Sequence, residues 1–382
     1  MSETSRARRT GSSFRASFVL FGTIVGAGIF GLPYIIQKSG YLPGLFWMIA
    51  LAITVLLTHL MYAEVVMATP GQHRLIGYVR IHLGPWAERL EALSSIIGLF
   101  GASLAYLILG GLFISQIVGG SLPASSFWGG ALLFLFGVLV VRRGTAFLSG
   151  VDFWMTLIEM GSISLLAFIA LTAFRTEHLA TFHMDKALLP YGIVLFAYGG
   201  LTAVTEVRDI VGGDARKVRR SVVVGTLMAV GLTILFVTAV VGALGPNVTP
   251  ESIGGLNAKF GGSLPLIGAI AGFFSILTSY IVFTDYLHKQ FRQDFKVRPL
   301  LAGLAAAGLP FLLYLAGVRS FGRILELIGA VLLGVEGMFV AMMYLKIKRA
   351  QSGRVLRIPN GLVYVLMLAY AVGAAYAIFG RS

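Results

Sequence analysis

Cysteine is absent from all 382 residues, which excludes a disulfide framework, a thiolate metal site and a cysteine nucleophile together. Charge is scarce: Asp, Glu, Lys and Arg make up 12% of the chain, about half the share in a soluble domain. Acidic residues are scarcer still, 16 against 30 Lys and Arg, giving a net charge of +14. The six histidines, His59, His73, His82, His178, His183 and His288, are scattered, and no HExxH, GxSxG or P-loop pattern occurs. An enzyme is therefore not expected, nor a resident organic cofactor.

Hydrophobic residues, in contrast, reach 57%, with a mean hydropathy of +0.87. Uncharged runs long enough to cross a bilayer, about 20 residues each, recur throughout. The expectation is an all-α integral membrane protein with eleven spans, near residues 15–37, 43–67, 86–118, 127–141, 151–174, 187–211, 220–245, 263–288, 299–317, 323–346 and 359–380. The third and fourth share one uncharged stretch, divided at "GGSLPASS", where glycine, proline and serine cluster. Residues 1–14 form a short polar tail with a basic end, and the apolar run behind it has no small-residue cleavage site.

Cations collect in alternate connections: "RARR", Arg142 with Arg143, "DARKVRR", "HKQFRQDFKVR" and "KIKRAQSGRVLR". The positive-inside rule makes these cytoplasmic, so the amino terminus is expected inside and the carboxyl terminus outside, in a cell (inner) membrane. The basic excess then reports topology, not a nucleic-acid partner. In "GQHRLIGYVRIHLG", Leu75, Ile76, Val79 and Leu83 share one helical face, which is expected to lie along the inner membrane surface.

The first span, "LFGTIVGAGIFGLPYII", carries Gly22, Gly26, Gly28, Gly31 and Pro33. Gly22 and Gly26 alone would suit a small-residue face for close helix packing. The further glycines and Pro33 exceed that need and point to a broken helix, which survives at membrane depth only where it is enclosed by protein or lines a cavity. A second interruption stands in the sixth span, where Gly199 and Gly200 follow Tyr198 and a polar run of Thr202, Thr205 and Glu206 comes next. Five spans separate the first repeat's start from the second's, so the two copies enter from opposite sides. The expected organisation is a 5+5 inverted repeat, 15–175 and 187–346, with 359–380 as an extra eleventh helix.

"GTIVGAGIFGLPY", "YAEVV" and "FAYGGLTAVTEVRDIVGGDARKVRRSVVVGT" resemble the aromatic and hydroxy amino acid permeases, and more widely the amino acid/auxin permease group, over nearly the whole chain. The resemblance implies the amino acid-polyamine-organocation superfamily, its LeuT-type fold, and secondary active transport of amino acids, aromatic or other large neutral ones, by alternating access. It also implies that backbone at Val25, Gly26, Ala27, Gly28, Ile29 and Phe30, and at Phe196, Ala197, Tyr198 and Gly199, holds the substrate's main-chain atoms. The helix termini at the two breaks suit such a zwitterion: amides near Ile29 and Phe30 for the carboxylate, carbonyls from Phe196 to Tyr198 for the ammonium group. Tyr106, Phe196, Tyr198, Phe273 and Phe274 are candidate walls for the side chain, although most of the 27 phenylalanines must face lipid or core.

Two driving ions are in contention. In LeuT-type permeases a sodium ion lies between hydroxyls of span 8 and carbonyls of span 1. Ser275, Thr278 and Ser279 share one helical face, and with Gly22 and Val25 they occupy the matching positions. Ile29 stands where some relatives carry an asparagine, so a second sodium is not expected. Membrane hydroxyls also bond back to their own helix. The alternative is a proton on a membrane carboxylate. Glu64, Glu206 and Asp285 adjoin basic loops, where pairing with Arg208 or a neighbour is expected; Glu159 and Glu336 sit deeper and are the candidate proton carriers. A sensor on the same fold would keep the pocket but is expected to add a soluble signalling domain.

Overall fold

The computed structural model describes residues 12–26, 28–118, 125–143, 152–261, 264–293, 295–318, 320–350 and 356–380, and among these residues there is no strand. Ser12 caps the first helix, its hydroxyl accepting from the Phe14 amide at 3.2 Å. α1 (Ser13–Ile24) gives way to α2 (Gly28–Ser39) across a break where the two axes bend by 56°. α3 (Tyr41–Ala68) follows, then the short α4 (Leu75–Leu83), α5 (Pro85–Ile117), α6 (Ser125–Arg143) and α7 (Asp152–Leu171). The sixth expected span is also divided, into α8 (Pro190–Ala197) and α9 (Leu201–Ile210). Beyond it come α10 (Ala215–Leu244), α11 (Ile253–Phe260) and α12 (Leu264–Gln293).

The next two expected spans are not plain α-helices. α13 (Pro299–Gly303) and α14 (Leu309–Leu315) are joined by π-helical backbone at Leu304–Gly308. α15 (Phe321–Leu327) and α16 (Gly334–Ala350) are joined by a second π segment at Ile328–Leu333. α17 (Asn360–Phe379) ends the described chain. Among the described residues seven helices are long and apolar enough to cross a membrane alone, and α1 with α2 makes an eighth. The sixth expected span is halved by its break, and the apolar parts of the fourth and ninth, Phe127–Leu139 and Pro299–Leu315, are shorter. Residues 119–124, at the expected boundary of the third and fourth spans, lie outside the described residues, as do residues 1–11 of the polar tail.

One apolar core joins α1, α3, α5, α8, α10 and α12, with α1 packed against α10 and α5 against α12. The opposite faces carry exposed Phe46 and Ile53 on α3, Trp154 and Phe168 on α7, and Val365 and Leu368 on α17, as lipid-facing helices require.

Several cations expected in loops are helical. Asp214 caps α10 by accepting from the Arg216 and Lys217 amides at 3.0 and 3.1 Å, so "RKVRR" forms its first two turns. There Arg219 holds Glu64 of α3 in a bidentate pair at 2.5 and 2.9 Å. Arg208, named with its neighbours as an expected partner, donates to the Gly71 carbonyl at 2.8 Å. The apolar face of α4 is covered by protein: Leu75, Ile76 and Val79 are buried and Leu83 half-buried, with α4 packed on α5 and α16. Its apolar stripe is thus satisfied by the bundle.

Candidate functional site

The two interruptions meet. A Cβ added to Gly28, at the start of α2, would lie 2.8 Å from the Ala197 Cα and 3.2 Å from the Phe196 ring, at the end of α8. The glycine thus permits the two broken helices to touch backbone to side chain. Within the breaks, the Ile29 amide donates to the Gly26 carbonyl at 3.2 Å, and the Gly199 amide donates to the Phe196 carbonyl at 3.1 Å. Ile29 and the Phe196 carbonyl therefore already have backbone partners, contrary to the expectation that they stand free. Ala27 lies outside the described residues.

A cavity of about 790 Å³, its open mouth included, adjoins this crossing. Gly26, Gly28, Tyr106, Phe196, Ala197 and Gly199 line it, as do Phe283, Tyr286 and Glu336. The Tyr106 and Phe283 rings lie 5.4 Å apart, and Tyr106 and Ser279 both approach Gly26, at 3.5 and 3.4 Å from where its Cβ would be. Of the lining residues, Thr202 at the start of α9 is exposed. Phe30 packs edge-on against Phe113 and Phe236 at 5.3 and 6.0 Å, and the Ser252 hydroxyl donates to the Phe30 carbonyl at 2.6 Å. Val25, Ile29 and Phe30 are buried in this packing and are not part of the cavity wall.

Three expected wall residues stand elsewhere, and one of them, Phe273, is buried edge-on against Phe274 and off the cavity wall. Phe274 is 45% exposed on the outside of α12. Tyr198 is fully buried beside the break but off the cavity wall. The aromatics that α12 does contribute are Phe283 and Tyr286. Their phase explains it: Phe283 is nine residues from Phe274, half a turn out of register at 3.6 residues per turn, whereas Tyr286 lies on the Ser275 and Ser279 face. Counting forward from that hydroxyl stripe would have found both.

The ion candidates other than Glu336 lie on α1, α7 and α12 and in the break after α1. Gly22 packs on Thr156 of α7, whose hydroxyl would be 2.6 Å from an added Cβ, so for Gly22 the small-residue packing role holds. One turn along α7, the buried Glu159 accepts a hydrogen bond from Ser275 of α12. The Thr278 side chain lies outside what is described.

A smaller cavity of about 310 Å³ lies behind the α8–α9 break, lined by Thr58, His59, Gly200, Tyr370 and again Glu336. The Thr58 and Tyr370 hydroxyls are 2.7 Å apart, and His59 Nδ1 is 3.1 Å from the Thr226 hydroxyl. Among the described residues no group of three or more His, Cys, Asp or Glu could hold a metal ion.

The model of the tryptophan/tyrosine permease family matches residues 9–378. Tyrosine-specific transport system 2 of Haemophilus influenzae is 22% identical over 238 residues, 61% of this chain and 58% of that protein, so the match spans less than two thirds of the relative's length. Among solved structures, MhsT in complex with L-phenylalanine matches with a TM-score of 0.70 at 14% identity, over 97% of this chain and 100% of its own. The Eremococcus coleocola manganese transporter, bound to an aromatic bis-isothiourea compound, matches with a TM-score of 0.72 at 12% identity, over 100% and 90%. At these identities the structural likeness shows the fold, which is LeuT-type.

Proposed function

The chain belongs to the tryptophan/tyrosine permease family, and from that premise we propose that it carries amino acids across the membrane by alternating access, aromatic or other large neutral ones in particular. The observation that carries this reading is the meeting of the two broken helices at Gly28 and Ala197 on the wall of an aromatic-lined cavity. A free amino acid presents a carboxylate, an ammonium group and a side chain. The amides around Gly28, at the positive end of α2, suit the carboxylate. The carbonyl of Ala197, at the end of α8, suits the ammonium group. Tyr106, Phe196, Phe283 and Tyr286 then offer the side chain flat apolar faces.

The finer architecture is part of the proposal: eleven spans, 15–175 and 187–346 as inverted five-helix repeats, and 359–380 as the added helix. The equivalent positions of the two breaks support it. A reporter fused after Ser382 is expected to read external and one inserted at Gly213 cytoplasmic. A cytoplasmic carboxyl terminus would remove a span from the count.

The ion is proposed to be sodium, bounded by the Gly22 and Val25 carbonyls and the Ser279 hydroxyl. Glu159 strengthens this reading: a carboxylate buried with a serine donor still calls for a positive partner, and a cation at the α1–α12 junction would supply one. Ser275, bonded to Glu159, would act through it. The alternative is that Glu159 itself carries a proton. Proteoliposomes loaded with L-tryptophan should first exchange it for labelled L-tryptophan; an absence of exchange or flux for all twenty amino acids would leave a sensor as the better reading. Accumulation is expected under an inward sodium gradient at equal pH, and Glu159→Gln should cut that accumulation about tenfold or more, the equivalent of one charge-assisted interaction. Accumulation driven only by a pH gradient would sink the sodium assignment.

A further inference from the structure

One side chain of the large cavity has no part in the amino acid site described so far. Glu336, at the start of α16, is half-buried and lines both cavities, and among the described residues it has neither a hydrogen bond nor an ion pair. It stands beside the α8–α9 break. The two cavities also share Gly199, Gly200, Leu201 and Leu333, and the Leu333 Cδ1 lies 3.0 Å from where a Cβ on Gly199 would be. Glu336 is three residues further along, on the same face of its helix.

The lining has one sign. Among the described residues that line the large cavity, Glu336 alone carries a charge, and no Lys, Arg or His is present. Three cations on the surrounding helices are engaged elsewhere: Arg74, at the start of α4, lies over the Tyr286 ring at 4.8 Å, Lys289 of α12 pairs with Asp285 at 2.5 Å, and Lys346 of α16 donates to the His82 carbonyl at 2.6 Å. His59, in the small cavity, is turned to the Thr226 hydroxyl. Glu91, four residues before the lining Ser95 and on the same face of α5, adds to the negative sign; it is 1% exposed, and neither of its oxygens has a hydrogen-bond partner. A carboxylate held among apolar walls without a donor calls for a cation.

An ammonium group on an aromatic body answers that call. The rings of Tyr106, Phe196 and Phe283 line the same space, and the negative face of an aromatic ring attracts a cation as well as another ring. An ammonium group has three donors, of which the Ala197 carbonyl can take one. A ligand carboxylate, by contrast, is welcome only at the Gly28 amides and is repelled by the rest of the lining. We propose that Glu336 is the counter-ion of the ligand's ammonium group, and that the cavity therefore also takes aryl-alkylamines, which keep the amine and ring of an aromatic amino acid but lack its carboxylate. The proposal rests on the transport reading of this cavity for the aromatic ligand. It concerns binding, whichever ion drives transport.

Competition against labelled L-tryptophan on the full-length protein in detergent tests it, with tryptamine, which lacks the carboxylate, and indolepropionate, which lacks the amine. Tryptamine is expected to displace the label at a concentration about tenfold or more below that of indolepropionate, the factor that one charge-assisted hydrogen bond supplies. In Glu336→Gln the dissociation constant of tryptamine should rise about tenfold more than that of L-tryptophan, which keeps its carboxylate contact at Gly28, and Glu336→Asp should restore part of the loss. Displacement by tryptamine no better than by indolepropionate would overturn the proposal, and this comparison stands even if Glu336→Gln does not fold. A preference for tryptamine that persists undiminished in Glu336→Gln would overturn it as well. Failure of every aromatic amino acid to bind or exchange would instead overturn the transport reading beneath it.

Discussion

Gly28→Leu is expected to abolish L-tryptophan exchange in proteoliposomes while leaving a protein that purifies as a folded species. The added Cβ would sit 2.8 Å from the Ala197 Cα and 2.9 Å from its Cβ, closer than unbonded carbons approach. Relief requires the two broken helices to part, and overpacking of this kind costs about 1–3 kcal/mol. The remaining leucine atoms would enter the cavity wall beside Phe196, in the space proposed for the substrate carboxylate. The parted helices no longer frame the site and the leucine fills the carboxylate's place, so exchange should fall about 100-fold or more, the factor that roughly 2.7 kcal/mol supplies. Gly28→Ala isolates the first effect and should give an intermediate loss. Thermal stability in detergent without substrate checks the fold. Undiminished exchange by Gly28→Leu would return the glycines of the first span to a packing role.

The residues behind that test are legible in the amino-acid sequence. Glycine and proline at membrane depth conflict with the need to satisfy backbone amides internally, so "GAGIFGLP" and "YGG" mark both breaks. The pairing of Glu64 with a cation is legible because both lie near one face of the membrane, yet the partner is not. Arg219 becomes available only because Asp214 caps α10 and makes the basic run helical.

Other parts leave weaker traces. A π segment shifts helix phase without demanding a glycine or proline, so nothing in "LAAAG" or "IGAVLL" marks 304–308 and 328–333 as wider than an α-helix. Nearness to the hydroxyl stripe favours Phe274, whereas phase places Phe283 and Tyr286 on the wall. Glu91 belongs to "WAERLEAL", which reads as an interfacial start to the third span. It becomes a buried group because α5 runs from Pro85 for 33 residues and packs against α4, α12 and α16. The free amide expected at Ile29 is taken up by a local turn with Gly26, a detail set by how tightly the break closes.

Gly329→Val is expected to destabilise the protein by about 3 kcal/mol or more, the upper range for overpacking. The neighbouring side chains cannot relieve the clash. A Cβ on Gly329 would overlap the Gly192 carbonyl oxygen and lie 2.8 Å from the Phe196 amide nitrogen, so the obstacle is the backbone of α8 itself. A carbonyl in a helix has no rotamer to adopt, and a Cβ position is fixed by its own backbone. The π segment at Ile328–Leu333 must therefore withdraw from α8, giving up the packing between two elements that both border the cavity. Phe196 lies on one side of that contact and Glu336, seven residues beyond Gly329, on the other, so any protein that survives should also bind L-tryptophan weakly. Gly322→Ala provides the control, because nothing lies within 4 Å of where its Cβ would stand; it should shift stability by less than about 0.5 kcal/mol. Unfolding in detergent, followed by loss of helical signal with and without L-tryptophan, measures both quantities. Equal behaviour of the two variants would mean that the α8–π contact is not a rigid element, and that the wall carrying Glu336 can move away from the broken helix without cost.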